Sequence, residues 1–155
     1  MLDILNIRRR DYYQILDAAT GKLKSSFTVS QRGYNFVNTH MLAGRLLAVF
    51  RNRGSYLLEI RDLNRGSVLH SERVDLADTR HVNTFMTADE KTLYIHTGKK
   101  LFRYSMTERK VIWECQTDFE HQVQMRMEGD WLLLIGMRNP RDENQWTTFI
   151  IDSAS

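Results

Sequence analysis

The chain has 155 residues, of which 42% are hydrophobic and 26% charged, and its formal net charge is +3. This composition excludes a disordered segment, and no apolar run approaches the roughly 18–20 residues of a membrane span. The single cysteine, Cys115, excludes an internal disulfide framework, and the start of the chain lacks the basic region of a signal peptide. We therefore expect a cytoplasmic or nuclear protein.

A strand–turn–strand unit recurs along the chain. Asp17, Asp62 and Asp152 each end an apolar run, 45 and 90 residues apart, and Ser105 takes the equivalent place in a further copy. A second signature lies before three of these units, and it reads Val37-Asn38-Thr39, Val82-Asn83-Thr84 and Val123-Gln124-Met125. In chain order, strands are predicted at 13–17, from 23, 37–39, 46–50, 57–62, from 68, 82–84, 93–96, 101–105, from 111, 123–125, 131–135 and 149–153. A period of this length indicates a repeat architecture.

Short β-branched and aromatic runs between polar turns predict an all-β fold, since no helical period is sustained. If the strands of a unit are lettered a to d, the chain reads b-c-d, a-b-c-d twice, and a-b-c. Four antiparallel strands per repeat are typical of a β-propeller blade. The Asp-x-x-Thr-Gly-Lys hairpin at 17–22 resembles the c–d turn of WD40-like and quinoprotein-like blades. A six-strand sandwich or a lipocalin-like barrel is the alternative, but neither predicts the 45-residue spacing.

The domain organisation that follows is one continuous β-propeller segment of about three and a half blades. Its blade parts are predicted at about 1–30, 31–75, 76–118 and 119–155. Exposed strand edges pair with other chains unless another strand or a capping partner covers them. We expect a fragment of a larger ring, and the alternatives are a ring completed by a partner chain or an array capped by self-association.

Catalytic chemistry is not predicted. None of the hydrolase, nucleotide-binding or zinc motifs occurs, and the five histidines have no closely spaced ligand pair. We expect no enzyme activity, no cofactor and no metal site. Cys115 is interpreted as a buried, inert thiol, and Trp113, Trp131 and Trp146 as core residues between blades.

The charge pattern is the strongest indication of function. In a propeller the d–a and b–c loops share one face, and every predicted b–c loop is basic. Those loops contribute Arg8, Arg9, Arg10, Arg51, Arg53, Lys99, Lys100, Arg138 and Arg141, and the d–a loops add Arg32, Tyr34, Arg80, His81 and His121. Arginine side chains suit bidentate binding of carboxylates and phosphates, although hairpin turns are also commonly charged without any ligand.

These residues predict a non-enzymatic scaffold that docks an acidic or phosphorylated protein segment on its basic face. The resemblance implies a possible setting within a larger adaptor, such as a ubiquitin-ligase substrate receptor. The alternative is part of a quinoprotein-like or hydrolase propeller with a central-channel active site, where the strand-a starts offer only the amides Asn38, Asn83 and Gln124. Nucleic acid is an unlikely partner, because the chain has no basic tail or ribonucleoprotein motif.

Overall fold

The computed structural model describes residues 12–76, 82–117, 119, 121–137 and 146–153, which form β-strands and turns with no helix. The chain divides into two compact units, Met1–Asp75 and Leu76–Ser155. The predicted organisation as one continuous segment with four blade parts stays a prediction. The predicted b strand and b–c turn before residue 12 lie outside the described residues.

The first unit contains two antiparallel sheets. Its strands are β1 (Tyr12–Leu16), β2 (Leu23–Thr28), β3 (Asn35–Leu42), β4 (Arg45–Asn52), β5 (Ser55–Asp62) and β6 (Val68–Asp75). Sheet A is the pair β1-β2, and sheet B is the meander β3-β4-β5-β6. Each connection joins neighbouring strands, so the predicted c–d and a-b-c-d sequences of strands both form as hairpin-linked sheets.

The second unit contains two further sheets. Its strands are β7 (Val82–Met86), β8 (Thr92–Thr97), β9 (Lys100–Ser105), β10 (Lys110–Gln116), β11 (His121–Glu128), β12 (Trp131–Met137) and β13 (Trp146–Asp152). Sheet C is the meander β7-β8-β9-β10, and sheet D is β11-β12-β13. The all-β class and the antiparallel pairing are therefore confirmed, whereas the arrangement of the sheets in a ring stays a prediction.

Two of the aspartates that revealed the repeat, Asp17 and Asp62, build c–d turns. Asp17 Oδ1 accepts hydrogen bonds from the backbone N–H groups of Ala19 and Thr20, at 3.1 and 3.0 Å. Asp62 Oδ1 accepts the equivalent pair from Asn64 and Arg65, at 2.9 and 2.8 Å. A short acceptor at the end of a strand satisfies the donors of the turn, which is why this residue type recurs at this spacing.

The cores lie between the paired sheets of each unit. In the first unit, sheet A covers one face of sheet B, and the shared cluster contains Tyr13, Ile15, Phe27, Tyr34, Leu46, Ala48, Phe50 and Leu57. In the second unit, Tyr94, Leu101, Phe119, Leu132 and Leu134 form the cluster between sheets C and D. Phe119 fits there because Gly136 opposite has no side chain, and a Cβ at that glycine would lie 2.9 Å from the Phe119 ring.

The tryptophans divide between core and surface. Trp113 packs against the core cluster of the second unit, as expected. Trp131 and Trp146 are 49% and 50% exposed, so the expectation that they fill the core is wrong. Both lie on the outer face of sheet D, which faces away from sheet C.

Candidate functional site

One end of sheet B brings together several of the predicted binding residues. There β3 begins, β4 turns into β5, and β6 ends. The loop between β2 and β3 reaches the β4–β5 turn, since a Cβ placed on Gly33 would lie 3.4 Å from Asn52 Nδ2. Within this unit the segments lettered as a d–a loop and a b–c turn therefore meet.

Four arginines lie at this end, and we call them the arginine rim: Arg32, Arg51, Arg53 and Arg73. Arg32 and Arg53 are exposed and belong to the loop and the turn. Arg51 is half-buried and pairs in register with Asn35 on β3 and Tyr56 on β5. Arg73 is exposed on β6. Three of the four were predicted as binding residues from the sequence, and Arg73 was missed.

The Asp75 carboxylate at this end of sheet B already has two hydrogen-bond partners. Asp75 accepts a hydrogen bond from Arg73 Nε at 2.9 Å and another from the Ser55 hydroxyl. The hydrogen bond from Ser55, and then that from Arg73, hold the pKa of Asp75 below its ordinary value. The same contact with Asp75, with a smaller contribution from Tyr34, raises the pKa of Arg73. Asp75 therefore pairs with Arg73.

The loop that carries Arg32 is anchored on both sides of it. The Ser30 N–H donates to Glu59 Oε1 at 2.9 Å, and Tyr34 is buried in the core cluster of the first unit. Tyr34 was predicted as a surface binding residue, but its ring supports the loop from below. Anchoring of this kind reduces the conformational entropy that the loop loses when a ligand binds.

Arg53 has an unusual backbone conformation. Its φ is 51°, in the left-handed region, and the equivalent first residue of the β8–β9 turn is Gly98, with φ 55°. A side chain in this region costs about 1–2 kcal/mol that glycine avoids. A cation therefore occupies a turn position that is filled by glycine in another copy of the repeat.

The corresponding turn of sheet C is basic but partly neutralised. Lys99 is exposed, whereas Lys100 Nζ lies 2.7 Å from Glu114 Oε1 on β10. The turn is fixed by the Thr117 N–H, which donates to the Lys99 carbonyl at 2.6 Å. This turn therefore offers less positive charge than the arginine rim.

The remaining predicted binding residues are not covered. Arg8, Arg9, Arg10, Arg80, His81, Arg138 and Arg141 lie outside the described residues, and so does the side chain of His121. Their predicted place on the same face stays a prediction.

The amides that open strand a have structural partners. Asn38 Oδ1 and Asn83 Oδ1 each accept the N–H of the following threonine at 2.8 Å. Asn83 Nδ2 also donates to the Val123 carbonyl, which ties the first strand of sheet C to the first strand of sheet D. These contacts explain why the Val-Asn-Thr signature recurs. Its asparagine bonds to the next residue of its own strand, and Asn83 also bonds to the neighbouring sheet.

Two other titratable side chains, those of His96 and Cys115, are removed from solvent to different degrees. His96 is buried, its Nε2 lies 2.8 Å from Thr117 Oγ1, and burial lowers its pKa to about 4. Burial also raises the pKa of Cys115, which lies half-buried beside the second core. No group of three or more metal-ligating side chains occurs among the described residues, and they contain no helix long and apolar enough to cross a membrane.

Comparison with known proteins gives a likeness of fold alone. No protein-family model and no curated protein matches the sequence. Among solved structures, the chain is similar to an uncharacterized protein from Listeria monocytogenes EGD-e, with a TM-score of 0.56 and 10% sequence identity. The likeness covers 93% of this chain and 44% of that protein, so the chain spans less than half of its length.

Proposed function

We propose that the chain is a non-enzymatic interaction scaffold of propeller type, whose arginine rim docks an acidic or phosphorylated protein segment. The observation that carries the proposal is the meeting of the β2–β3 loop and the β4–β5 turn at one end of sheet B. This meeting brings Arg32, Arg51 and Arg53 to the end of sheet B where Ser55 and Arg73 already bind the Asp75 carboxylate.

The chemistry of the rim favours anions with two oxygens. A guanidinium presents paired N–H donors that match a carboxylate or a phosphate, and several of them along an extended segment add orientation to attraction. An exposed contact of this kind contributes modestly by itself. The rim therefore favours a segment with several negative groups over a single acidic side chain.

Three observations support the propeller arrangement within this proposal. The 45-residue spacing corresponds to hairpin-linked antiparallel sheets, two of them with four strands. The first strands of sheets C and D are in contact, as the innermost strands of neighbouring blades are. Asn83 joins these two strands by its hydrogen bond to the Val123 carbonyl. The wider setting, such as a ubiquitin-ligase receptor, stays a prediction.

The test is a binding titration with labelled peptides. The probes are a peptide of alternating serine and glutamate, the same peptide with phosphoserines, and a version with glutamine in place of glutamate. Arg53→Gly is expected to weaken binding of the first two about fivefold, which corresponds to about 1 kcal/mol. Binding is also expected to weaken as salt is added, because the charges are exposed.

The matched control is Arg109→Gly in the β9–β10 turn. Arg109 is exposed and has φ 57°, so the same chemical change is made in the same backbone conformation at another turn. Both variants are expected to unfold at slightly higher denaturant concentration, since glycine relieves the strain. Equal loss of binding in both variants, or none in Arg53→Gly, would contradict the proposal.

A further inference from the structure

Two charged side chains of β5, Glu59 and Arg61, lie at positions where another copy of the repeat has aromatic residues. Both are almost completely buried, at 0% and 3% exposed. At the same distances from the end of β9 lie Phe102 and Tyr104, which are also buried. The repeat therefore folds with an aromatic pair at these positions, and apolar residues in place of a buried ion pair are often neutral or stabilising. The charged pair of β5 therefore needs a reason besides filling the core.

The pair binds the backbone at the base of the β2–β3 loop. Arg61 Nη2 donates to the Thr28 carbonyl at 2.6 Å, and Glu59 Oε1 accepts the Ser30 N–H at 2.9 Å. A carbonyl and the N–H two residues later are the groups that a neighbouring strand would bond. Glu59 and Arg61 therefore hold the chain on both sides of Val29 as a strand would, at the point where β2 ends.

Further bonds fix the orientation of the pair itself. Glu59 Oε2 accepts a hydrogen bond from Arg61 Nε at 2.8 Å and another from Nη2. Arg61 Nη1 donates to the Gly66 carbonyl in the β5–β6 turn, also at 2.8 Å. Hydrogen bonds to charged groups are stronger than those between neutral groups. The two atoms that hold the loop are therefore themselves held in place.

Arg32 lies between two anchored positions of this loop. It is two residues after Ser30, which Glu59 binds, and two residues before Tyr34, whose ring is buried in the core of the first unit. Val29 packs against the same core. Because both ends of so short a segment are held, the positions open to the Arg32 guanidinium are restricted, and less conformational entropy is lost when a ligand binds.

We propose that Glu59 and Arg61 are positioning residues of the arginine rim, which hold the Arg32 loop in place for an acidic ligand without touching that ligand. The inference rests on the proposed function, because it concerns the same rim. The double variant Glu59→Leu with Arg61→Met removes one negative and one positive charge together, so the net charge of the chain is kept. An effect of this variant on binding therefore reports the position of the loop and not the overall electrostatic attraction.

The first test is hydrogen exchange of single amides, followed by NMR. In the natural chain the Ser30 amide is expected to exchange slowly, although the residue itself is exposed. In the double variant it is expected to exchange about tenfold or more faster relative to the amides of β4, because its buried acceptor is gone. The control is Ser25→Ala, which removes another bond between β2 and sheet B, from the Ser25 hydroxyl to the Leu63 carbonyl at 2.9 Å. This bond lies near the start of β2, so the Ser30 amide is expected to stay protected.

The second test measures the affinity for the serine–glutamate peptide. The double variant is expected to weaken binding about threefold, as Arg32→Gln does in the natural chain. Adding Arg32→Gln to the double variant is expected to cause little further loss, because the side chain is no longer held at the rim. Ser25→Ala is expected to keep the natural affinity. A pair that only stabilised the fold would leave the effect of Arg32→Gln unchanged.

Three outcomes would overturn the proposal. The first is fast exchange of the Ser30 amide in the natural chain, and the second is a Ser30 amide that stays protected in the double variant. The third is a full effect of Arg32→Gln in the double variant. If Arg53→Gly weakens binding but the double variant does not, the rim remains the binding site and the positioning role is wrong. If the natural chain binds no acidic peptide, the proposed function is wrong, whereas the exchange of the Ser30 amide still decides whether the pair holds the loop.

Discussion

Single residues of this chain show how a repeat tolerates substitution at its turns. Within the described part of the chain, three non-glycine residues, Arg53, Glu90 and Arg109, have positive φ values of 51°, 60° and 57°. Arg53 and Arg109 each occupy a turn position where another hairpin of the chain has glycine, since Gly98 corresponds to Arg53, and Gly21 and Gly66 correspond to Arg109. Left-handed backbone is therefore a property of the repeat, and the side chain carried there differs between copies. At Arg53 that side chain is part of the arginine rim, so the strained backbone conformation holds a cation in the proposed binding site.

The buried histidine makes the stability of the protein depend on pH. The pKa of His96 is lowered to about 4 by burial, whereas an exposed histidine titrates near 6.5. Between these values the unfolded chain binds a proton that the folded chain excludes. Stability is therefore expected to fall as the pH decreases from 6.5 to 4, by up to about 3 kcal/mol. His40, whose pKa is also lowered to about 4 by burial, acts in the same direction.

Urea unfolding at several pH values measures this effect. His96→Gln cannot titrate, and its amide can still bond to Thr117, so it is expected to flatten the decrease in unfolding free energy. His70→Gln on β6 is the control, and it is expected to keep the decrease because His96 remains. A decrease of the same size in His96→Gln would show that other groups cause it.

At the scale of elements, sheet A is held to sheet B by a buried ion pair. Arg61 on β5 donates from Nε to Glu59 at 2.8 Å and from Nη2 to the Thr28 carbonyl on β2 at 2.6 Å. Its guanidinium also lies 4.2 Å from the centre of the Phe27 ring. Both charged side chains are nearly inaccessible to solvent. The Arg61 side chain of this pair therefore connects β2 of sheet A to β5 of sheet B.

Removing one partner of this pair is expected to be costly. Arg61→Met leaves the Glu59 carboxylate buried without its cation and should lower the unfolding free energy by about 3–5 kcal/mol. The double variant Glu59→Leu with Arg61→Met should lower it less, because no isolated charge remains. Lys110→Met, which breaks an exposed pair with Glu108, should change it by less than about 1 kcal/mol. Guanidinium unfolding of the four proteins checks this order, and a double variant less stable than Arg61→Met would contradict it.

The same pair shows what the sequence could predict and what it could not. The strand order followed from the recurrence of Asp17, Asp62 and Ser105, because a turn depends on residues close in the chain. Glu59 and Arg61 alternate with apolar residues, a pattern that indicates a solvent-facing side. They are buried because β2 covers that side, and such tertiary cover leaves no local signal. Arg73 was missed for the same reason, since only the folded sheet brings it to the same end of sheet B as Arg32 and Arg53.

For the whole molecule, the chain has two compact units, each with its own hydrophobic core, and the arginine rim belongs to the first unit. A substitution that disturbs the second core is therefore expected to lower stability without weakening the binding of an acidic peptide. Gly136 offers such a substitution, because a Cβ at that glycine would lie 2.9 Å from the Phe119 ring.

Gly136→Ala is expected to lower the free energy of unfolding by about 1–3 kcal/mol, because the added methyl group overpacks the core against Phe119. Under conditions where this variant is folded, its affinity for the acidic peptide is expected to equal that of the natural chain, whereas Arg53→Gly weakens binding. Urea unfolding measures the stability, and fluorescence anisotropy measures the affinity. A loss of peptide affinity in the folded Gly136→Ala variant would show that the binding site is not confined to the arginine rim.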